Sequence, residues 1–215
     1  MLCRLGVLMM SVLAITGCGV APRTPLAKAA AYGTAADVKL QIQDATAEQI
    51  QSALFPAARF GNRLAISALV EAGANLNQPA GANSWPPLMH AIHKNQLGAM
   101  KELLNLGADV NYIAGNGQTP LIMAAGYGYA DMVAVLLEKG ADPAIQMIGG
   151  LTALDLAITG TADIDRFTIG NCQTDTVRTL LENSPKRGLQ PTMLARAALE
   201  AGRCMEIKKL LETRY

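Results

Sequence analysis

Residues 117–142 read GQTPLIMAAGYGYADMVAVLLEKGAD and predict two short helices separated by a turn. Thr119 is suited to cap the first helix, because its hydroxyl can accept a hydrogen bond from an amide of the first turn. Pro120 follows at the first helical position, where its missing amide hydrogen is no loss. Ala124 and Ala125 keep this helix thin, so that a neighbouring unit can approach it closely.

The second helix of this stretch carries one apolar face. Val133, Leu136 and Leu137 recur at helical spacing and form a stripe that must be buried against another element. Gly140 then follows the helix at a point where a left-handed terminating conformation is favourable, and glycine adopts that conformation without strain. The stretch therefore predicts a complete unit that starts at a threonine cap and ends at a glycine.

This unit returns along the chain. The segment around its terminating glycine occurs three times, as Gly73-Ala74-Asn75-Leu76-Asn77, Gly107-Ala108-Asp109-Val110-Asn111 and Gly140-Ala141-Asp142-Pro143. The offsets between the three copies are 34 and 33 residues. A fixed period of this size indicates an array of units that cannot bury their apolar faces alone and therefore stack on one another.

The period, the Thr119-Pro120-Leu121 start and the Gly140-Ala141-Asp142 end resemble the ankyrin repeat family over about 165 residues. The resemblance implies an all-α fold, an ankyrin-repeat solenoid of paired antiparallel helices. We expect five repeats, of which the outer two are degenerate. The resemblance also implies a protein-binding role, because the family binds protein partners through a concave face made by its turn tips and first helices.

The repeats before residues 117–142 are found by alignment to that stretch. Residues 85–92 begin one copy, in which Pro86 stands where the family usually has threonine. Residues 52–70 form an earlier copy that keeps the apolar positions but lacks the threonine and proline pair. Such irregularity is expected of a terminal cap.

The later repeats are less regular. Residues 152–157 start a copy whose second helix arrives late by about eleven residues, so that residues 160–172 are predicted to be an insertion. A final helix pair around residues 194–211 closes the array, and its outer end is polar. The predicted ankyrin-repeat domain therefore covers residues 45–215.

Residues 1–17 are predicted to be a cleavable signal peptide rather than a part of this domain. A short positive start precedes an apolar run, residues 5–15, which is too short to span a bilayer. The run ends in Ile15-Thr16-Gly17-Cys18, which resembles the lipobox of bacterial lipoproteins. The resemblance implies that Cys18 becomes the acylated mature N-terminus. An ordinary signal peptide and a buried apolar segment are the alternatives.

The residues after Cys18 bear on location and on the anchor. Gly19 stands where aspartate would direct retention, which by resemblance to Gram-negative lipoproteins implies a lipid anchor in the bacterial outer membrane, on its periplasmic face. Residues 18–44 contain two prolines and an alanine-rich stretch without sustained periodicity, which predicts a tether. Its later part, residues 38–43, leaves an extended segment and a helical cap as open alternatives.

Cys172 and Cys204 are the cysteines left to the folded part once Cys3 leaves with the signal peptide and Cys18 is acylated. In an oxidising periplasm we expect them to form a disulfide that joins the insertion to the last repeat. Two separate thiols are the alternative. Equivalent sites in neighbouring ankyrin repeats lie roughly 10 Å apart, too far for a disulfide unless the insertion bends inward.

Composition and charge argue against several classes of function. The formal net charge is +1 without a basic cluster, so nucleic acid is not an expected partner. His90 and His93 are the best metal-binding pair, but the spacing supplies no third ligand, so no metal is expected. Because no nucleophilic triad and no phosphate-binding glycine motif is found, we expect neither an enzyme nor a cofactor. The protein is expected to be a monomer.

The candidate partner-binding residues are carried over from the variable positions of the ankyrin turn tips and first helices. They are Trp85, His93, Lys94, Ile113, Asn116, Gln118, Tyr127, Gln146, Ile148, Leu151 and Thr159. Several are apolar or aromatic, and folding alone gives no reason to expose such residues along one surface. The alternative is that they pack against each other between neighbouring turns, or lie under the tether or the insertion.

These features predict a membrane-anchored interaction module that binds a periplasmic or envelope protein. A more specific form is an immunity protein that neutralises a toxic effector delivered to the periplasm. The alternative is a structural or stress-related envelope lipoprotein without a single tight partner. An enzyme or metal carrier is a third class, which stoichiometric metal in the purified protein would support.

Overall fold

The computed structural model describes residues 22–80, 83–163, 166–184, 190–202 and 204–213. Twelve helices and one two-stranded ladder lie within these ranges. The predicted signal peptide and Cys18 lie outside the described residues. In the part of the chain that is described, no helix combines the length and the apolar character needed to cross a membrane.

The helices follow one another in pairs. They are α1 (Pro25–Tyr32), α2 (Ala35–Ile42), α3 (Ala47–Phe60), α4 (Arg63–Glu71), α5 (Pro87–His93), α6 (Leu97–Asn105), α7 (Pro120–Tyr127), α8 (Ala130–Glu138), α9 (Ala153–Thr159), α10 (Thr174–Asn183), α11 (Met193–Glu200) and α12 (Met205–Glu212). The ladder lies between α9 and α10 and pairs β1 (Ala162–Asp163) with β2 (Arg166–Phe167) in antiparallel orientation.

The pairs stack side by side into a solenoid of two layers. The odd-numbered helices form one layer, in which each contacts the next, and the even-numbered helices form the other. Buried side chains from every pair join in one continuous hydrophobic core between the layers. The predicted solenoid of helix pairs is confirmed, with six pairs rather than five in the described ranges.

The first helices begin where the sequence predicts. Thr119 Oγ1 accepts a hydrogen bond from the amide of Ile122 at 3.2 Å, and Pro120 occupies the first turn of α7. Thr152 caps α9 in the same way, and the Asp155 carboxylate accepts a bond from the Thr152 amide in return. Caps of this kind typically stabilise a helix by about 1 kcal/mol each.

The predicted helix ends and thin helix faces are also present. Gly73, Gly107 and Gly140 have φ angles of 97°, 96° and 88°, which is the left-handed conformation expected after each second helix. Ala124 and Ala125 on α7 are fully buried between repeats. The small side chains therefore let the neighbouring first helices approach closely.

Asparagine side chains form hydrogen bonds from two of the turns to the turns that follow them. Asn77 Oδ1 accepts a hydrogen bond from the amide of Asp109 at 2.9 Å, and Asn111 Oδ1 accepts one from the amide of Asp142 at 2.8 Å. The two bonds are equivalent. In each, the acceptor is an asparagine that follows the terminating glycine of one repeat, and the donor is an amide of the next repeat. They hold successive turns at a constant spacing.

The N-terminal part of the array differs from the prediction. Helices α1 and α2 form an additional pair that packs against α3 and α4, so the tether predicted for residues 18–44 is wrong over residues 24–42. The side chains of Leu26 and Val38 are buried in the common core, and Thr24 caps α1. The open alternative of a helical cap, given for residues 38–43, holds over residues 38–42, which lie in α2, and the solenoid begins at Thr24 rather than at residue 45.

The predicted insertion separates α9 from α10 and folds back onto α7. Thr168 Oγ1 donates a hydrogen bond to the Gly126 carbonyl at 2.6 Å, and Gln173 Nε2 donates to the same carbonyl at 2.9 Å. This carbonyl lies in the last turn of a helix, where backbone oxygens lack intrahelical partners. The insertion is therefore hydrogen-bonded to the end of α7.

The disulfide expected between Cys172 and Cys204 is present, and its Cα atoms lie 5.5 Å apart. Equivalent sites of neighbouring repeats lie roughly 10 Å apart, but the two cysteines occupy non-equivalent positions and therefore lie closer together. Cys204 is the residue directly before α12, whereas Gln173 stands between Cys172 and α10. The bond joins the end of the insertion to the last repeat.

We expect a Cys172→Ser, Cys204→Ser double variant to be less stable than the native protein by about 3 to 4 kcal/mol, because the bond closes a loop across a sequence separation of 32 residues. Urea denaturation, with and without reductant, measures this difference. The native protein in reductant should match the variant. Equal unfolding midpoints for the oxidised native protein and the variant would show that the bond does not constrain the unfolded chain.

Candidate protein-binding face

Three of the predicted binding residues are buried, which corrects the expectation that they form an exposed surface. The exposed fractions of Trp85, Gln118 and Tyr127 are 5%, 9% and 4%. His93 and Lys94 at the end of α5 are half-buried. The alternative of packing between neighbouring turns therefore holds for the aromatic members of the set.

The buried aromatic residues form a row that crosses from repeat to repeat. The Trp85 and His93 ring centroids are 5.1 Å apart, those of His93 and Tyr127 are 5.8 Å apart, and those of Tyr127 and Tyr129 are 5.6 Å apart. A hydrogen bond of 2.8 Å joins His93 Nδ1 to the Tyr127 hydroxyl. The row buries aromatic area between repeats in tilted contacts that such rings favour.

The predicted binding set did not include Phe55, His90 and Tyr129, which also belong to the row, although the spacing carried a signal. Phe55 and Trp85 each contact the His90 ring, with centroid distances of 5.5 Å and 5.9 Å. His93 and Tyr127 are separated by 34 residues, which is one repeat period. Aromatic residues one period apart lie in adjacent repeats, and this indicates contact rather than exposure.

The insertion packs against the end of α7, beside Tyr127. A Cβ atom added at Gly126 would lie 3.4 Å from Thr161 Cβ and 3.1 Å from Leu156 Cδ1. With the two hydrogen bonds to the Gly126 carbonyl, these contacts place the insertion directly against the last turn of α7. The end of α7 therefore contributes little open surface to the concave face.

The exposed predicted residues lie at the tips of two neighbouring turns. The exposed fractions of Ile113 and Ile148 are 59% and 72%, and Asn116 and Gln146 are exposed beside them. We call these four residues the tip patch. Leu151 is half-buried and packs against the core, so it is not part of the tip patch.

The backbone fixes the tip patch. The amide of Ala114 donates to the Gln118 carbonyl at 3.0 Å, and the amide of Met147 donates to the Leu151 carbonyl at 2.9 Å, so that each turn is a closed hairpin. The amide of Ile148 donates to the Asn116 carbonyl at 3.1 Å and joins the two hairpins. Gln118 lies at the base of its hairpin and is buried there.

His90 lies within the aromatic row as a neutral imidazole. Burial is the main cause that lowers its pKa to about 4, and electrostatic repulsion from Arg59, His93 and Lys94 contributes to the same shift. Its exposed fraction is 3%, and its Nε2 atom has no hydrogen-bond partner in the described ranges, like Nε1 of Trp85.

Within the described residues, the structure brings no third metal ligand to His90 and His93. His90 and His93 are both engaged by aromatic rings, and the described part of the chain contains no group of three His, Cys, Asp or Glu side chains arranged to hold a metal. A groove of about 480 Å³ behind the insertion is lined by hydroxyl, amide and carboxylate side chains together with the disulfide. The hydrogen-bonded turn tips therefore form a rigid surface for contact with a protein.

The fold and the fixed turn tips define a helical repeat solenoid of the kind that binds other proteins. The family description "Ankyrin repeats" matches the chain in three overlapping copies, over residues 26–114, 54–147 and 88–186. Together the copies cover about three quarters of the sequence. The chain belongs to the ankyrin-repeat family, whose arrays are generally protein interaction modules without enzymatic activity.

Relatives with similar repeats occur in plants and a nematode. The chain is 49% identical over 78 residues to Regulatory protein NPR5 of Arabidopsis thaliana, covering 35% of this chain and 16% of that protein. It is 46% identical over 78 residues, again 35% of this chain and 16% of the relative, to the BTB/POZ domain and ankyrin repeat-containing protein NBCL of Lotus japonicus. It is 30% identical over 148 residues, 66% of this chain, to the Ankyrin repeat and KH domain-containing protein mask-1 of Caenorhabditis elegans, of which it covers 5%.

The chain therefore spans about a sixth of the length of the plant relatives it matches, and less of the nematode protein. The similarity lies in the repeats. It supports a protein partner for this chain and does not identify that partner.

The buried neutral His90 predicts a loss of stability in mild acid. Its pKa is about 4 in the folded protein and about 6.5 when unfolded, so only the unfolded state gains a proton as the pH falls between these values. The free energy of unfolding should fall by about 3 kcal/mol across this window and be unaffected by His90 above it.

The matched control is His90→Met, because the next repeat has the buried Met123 at the equivalent position. Urea denaturation at a series of pH values from 7 to 4 measures both proteins. The stability difference between native protein and variant should change over the window by the amount given above. A difference that stays constant with pH would show that His90 is protonated equally in both states.

Proposed function

We propose that this protein is a lipid-anchored adaptor of the bacterial envelope that binds a protein partner through the tip patch, Ile113, Asn116, Gln146 and Ile148. The exposure of Ile113 and Ile148 at adjacent, hydrogen-bonded tips supports this proposal most directly. These positions belong to the turn-tip surface that ankyrin repeats use for binding.

The tip patch has the physical properties of a small binding surface. Burying one isoleucine side chain stabilises a complex by about 1.5 to 3 kcal/mol, and the two isoleucines are flanked by amide side chains that can exchange hydrogen bonds with a partner. The hairpins are held by backbone bonds before binding, so little conformational entropy is lost on association.

The anchor is proposed from Ile15-Thr16-Gly17-Cys18 and its resemblance to the lipobox. Three acyl chains on Cys18 would hold the protein on a membrane, since each buried methylene contributes about 0.8 kcal/mol. Gly19 after the acylated cysteine favours the outer membrane and its periplasmic face. The partner is then a periplasmic or envelope protein.

The role that fits an anchored adaptor best is capture of a protein at the membrane surface. In its most specific form, the partner is a toxic effector that enters the periplasm and is neutralised by binding. A toxin gene beside the gene for this protein would support that form. A supporting role in the envelope without a tight partner is the competing proposal.

We expect an Ile113→Ser, Ile148→Ser double variant to lose partner binding by about tenfold or more, because it removes most of the apolar area of the tip patch. Affinity purification from detergent-solubilised envelopes, followed by titration with the captured partner, measures the loss. The matched control is Met193→Ser, Met205→Ser, which removes two exposed apolar side chains at the far end of the array.

A partner that binds both variants as tightly as the native protein would contradict the tip patch as the binding surface. A failure of the native protein to retain any partner would favour the supporting role in the envelope.

A Cys18→Ser variant should not be acylated, because serine lacks the thiol that forms the diacylglyceryl thioether. Intact mass measures the modification directly, because the native mature chain should begin at Cys18 and carry a diacylglyceryl group and an N-acyl chain. An unmodified native chain, or an acylated Cys18→Ser chain, would contradict the proposed anchor.

A further inference from the structure

The helices of the first two pairs carry four large exposed apolar side chains, whereas those exposed in the inner pairs, Leu106, Ile113, Ile148 and Ile169, lie outside the helices. The exposed fractions of Tyr32, Leu40 and Leu64 are 67%, 62% and 65%, and that of Phe60 is 39%. We call these four residues the end patch. The rings of Tyr32 and Phe60 contact each other with centroids 4.7 Å apart, and Asn62 Nδ2 donates a hydrogen bond of 2.9 Å to the Gly33 carbonyl. These contacts place the ends of α1 and α3 and the start of α4 on one edge of the solenoid. Helix α2, which carries Leu40, packs against α1 and α4.

Comparison between repeats shows that the exposed leucine on this edge is unusual. Leu64 is the second residue of α4, and the second residues of α6, α8, α10 and α12 are Gly98, Asp131, Asp175 and Glu206. All four are exposed. At this position of the second helices the exposed residue is therefore apolar in α4 and acidic in α8, α10 and α12, so that the two ends of the array differ in the surroundings they favour there.

The covalent structure limits how far the first repeat can lie from the anchor. Five residues separate Cys18 from Thr24, the residue that caps α1. A chain of this length reaches at most about 20 Å even when fully extended. Helix α1 has 8 residues and is about 12 Å long, so every residue of the end patch lies close to the anchored end of the array.

We propose that the end patch lies on the lipid surface to which Cys18 is attached, and that this contact orients the solenoid on the membrane. The inference rests on the lipid anchor proposed above. A tyrosine beside apolar side chains suits the interface, since the ring can enter the acyl boundary while its hydroxyl remains hydrated. The anchor keeps the patch at high effective concentration near the bilayer, so a few side chains are enough to set the orientation.

The consequence is a fixed polarity of the adaptor. The acidic part of the edge, at Asp131, Asp175 and Glu206, is directed away from the membrane together with the later repeats. The tip patch belongs to the turns before α7 and α9, the fourth and fifth helix pairs, and is therefore held clear of the lipid. A captured partner would approach from the periplasmic space and not from the bilayer.

The test uses an environment-sensitive fluorophore on a single introduced thiol in the lipidated full chain. Cys172 and Cys204 are bonded to each other and Cys18 is acylated, so a Leu64→Cys variant carries one reactive thiol. Asp131→Cys is the matched control, since it is exposed at the same position of a helix two repeats further on. Both proteins are reconstituted in vesicles of phosphatidylethanolamine and phosphatidylglycerol that contain a spin-labelled lipid.

We expect the spin-labelled lipid to reduce the fluorescence at position 64 about twofold and to leave the fluorescence at position 131 nearly unchanged, because quenching requires contact with the interface. Equal quenching at the two positions, or no quenching at position 64, overturns the proposed orientation. Co-flotation and intact mass of the same samples separate the two proposals. A chain that is not acylated overturns the anchor as well, whereas an acylated, floating chain without quenching at position 64 overturns the orientation alone.

Discussion

Close packing between neighbouring first helices is the constraint on which the rest of the structure depends. Ala57, Ala91, Ala124 and Ala157 are fully buried in consecutive first helices, where larger side chains would separate the repeats. No single helix pair can enclose its own apolar stripe, so each pair is stable only against its neighbours. The caps, the terminating glycines and the asparagine bonds between turns all serve to hold the spacing that this packing requires.

An array of this kind has two ends, and the chain closes them differently. At the N-terminus, α1 and α2 supply a helix pair with a buried inner face and an exposed outer one. At the C-terminus, the Asp155 carboxylate is fully buried and accepts a hydrogen bond of 2.7 Å from the amide of Thr192, which begins the last repeat. The disulfide adds a covalent connection from the insertion to α12. The last repeat is thus held by polar and covalent bonds in addition to apolar contact.

The sequence predicts those parts of the structure that depend on local chemistry repeated at a fixed period. Thr119 as a cap and Gly140 as a terminator act within their own turn, so alignment of one clear repeat extends them to the others. The first repeat contains the same signal, because Thr24-Pro25-Leu26 reproduces Thr119-Pro120-Leu121 and Gly33 corresponds to Gly128. Alignment on the glycine-alanine turn does not detect this repeat, because α2 is not followed by such a turn.

The binding positions of the family do not alone predict the burial of Trp85 and Tyr127, because it depends on aromatic partners and on the insertion. Trp85 packs on His90 and His93 of its own repeat. Tyr127 contacts His93 of the preceding repeat and lies beside the insertion. Ankyrin arrays commonly use such positions for binding, but here His93 pairs with the Tyr127 hydroxyl and the insertion covers the end of α7. Filling the inner face with its own aromatic side chains stiffens the array and moves the available apolar surface outward to Ile113 and Ile148. A surface built on hydrogen-bonded hairpin tips cannot rearrange easily, so it favours a partner of matching shape over many loosely fitting ones.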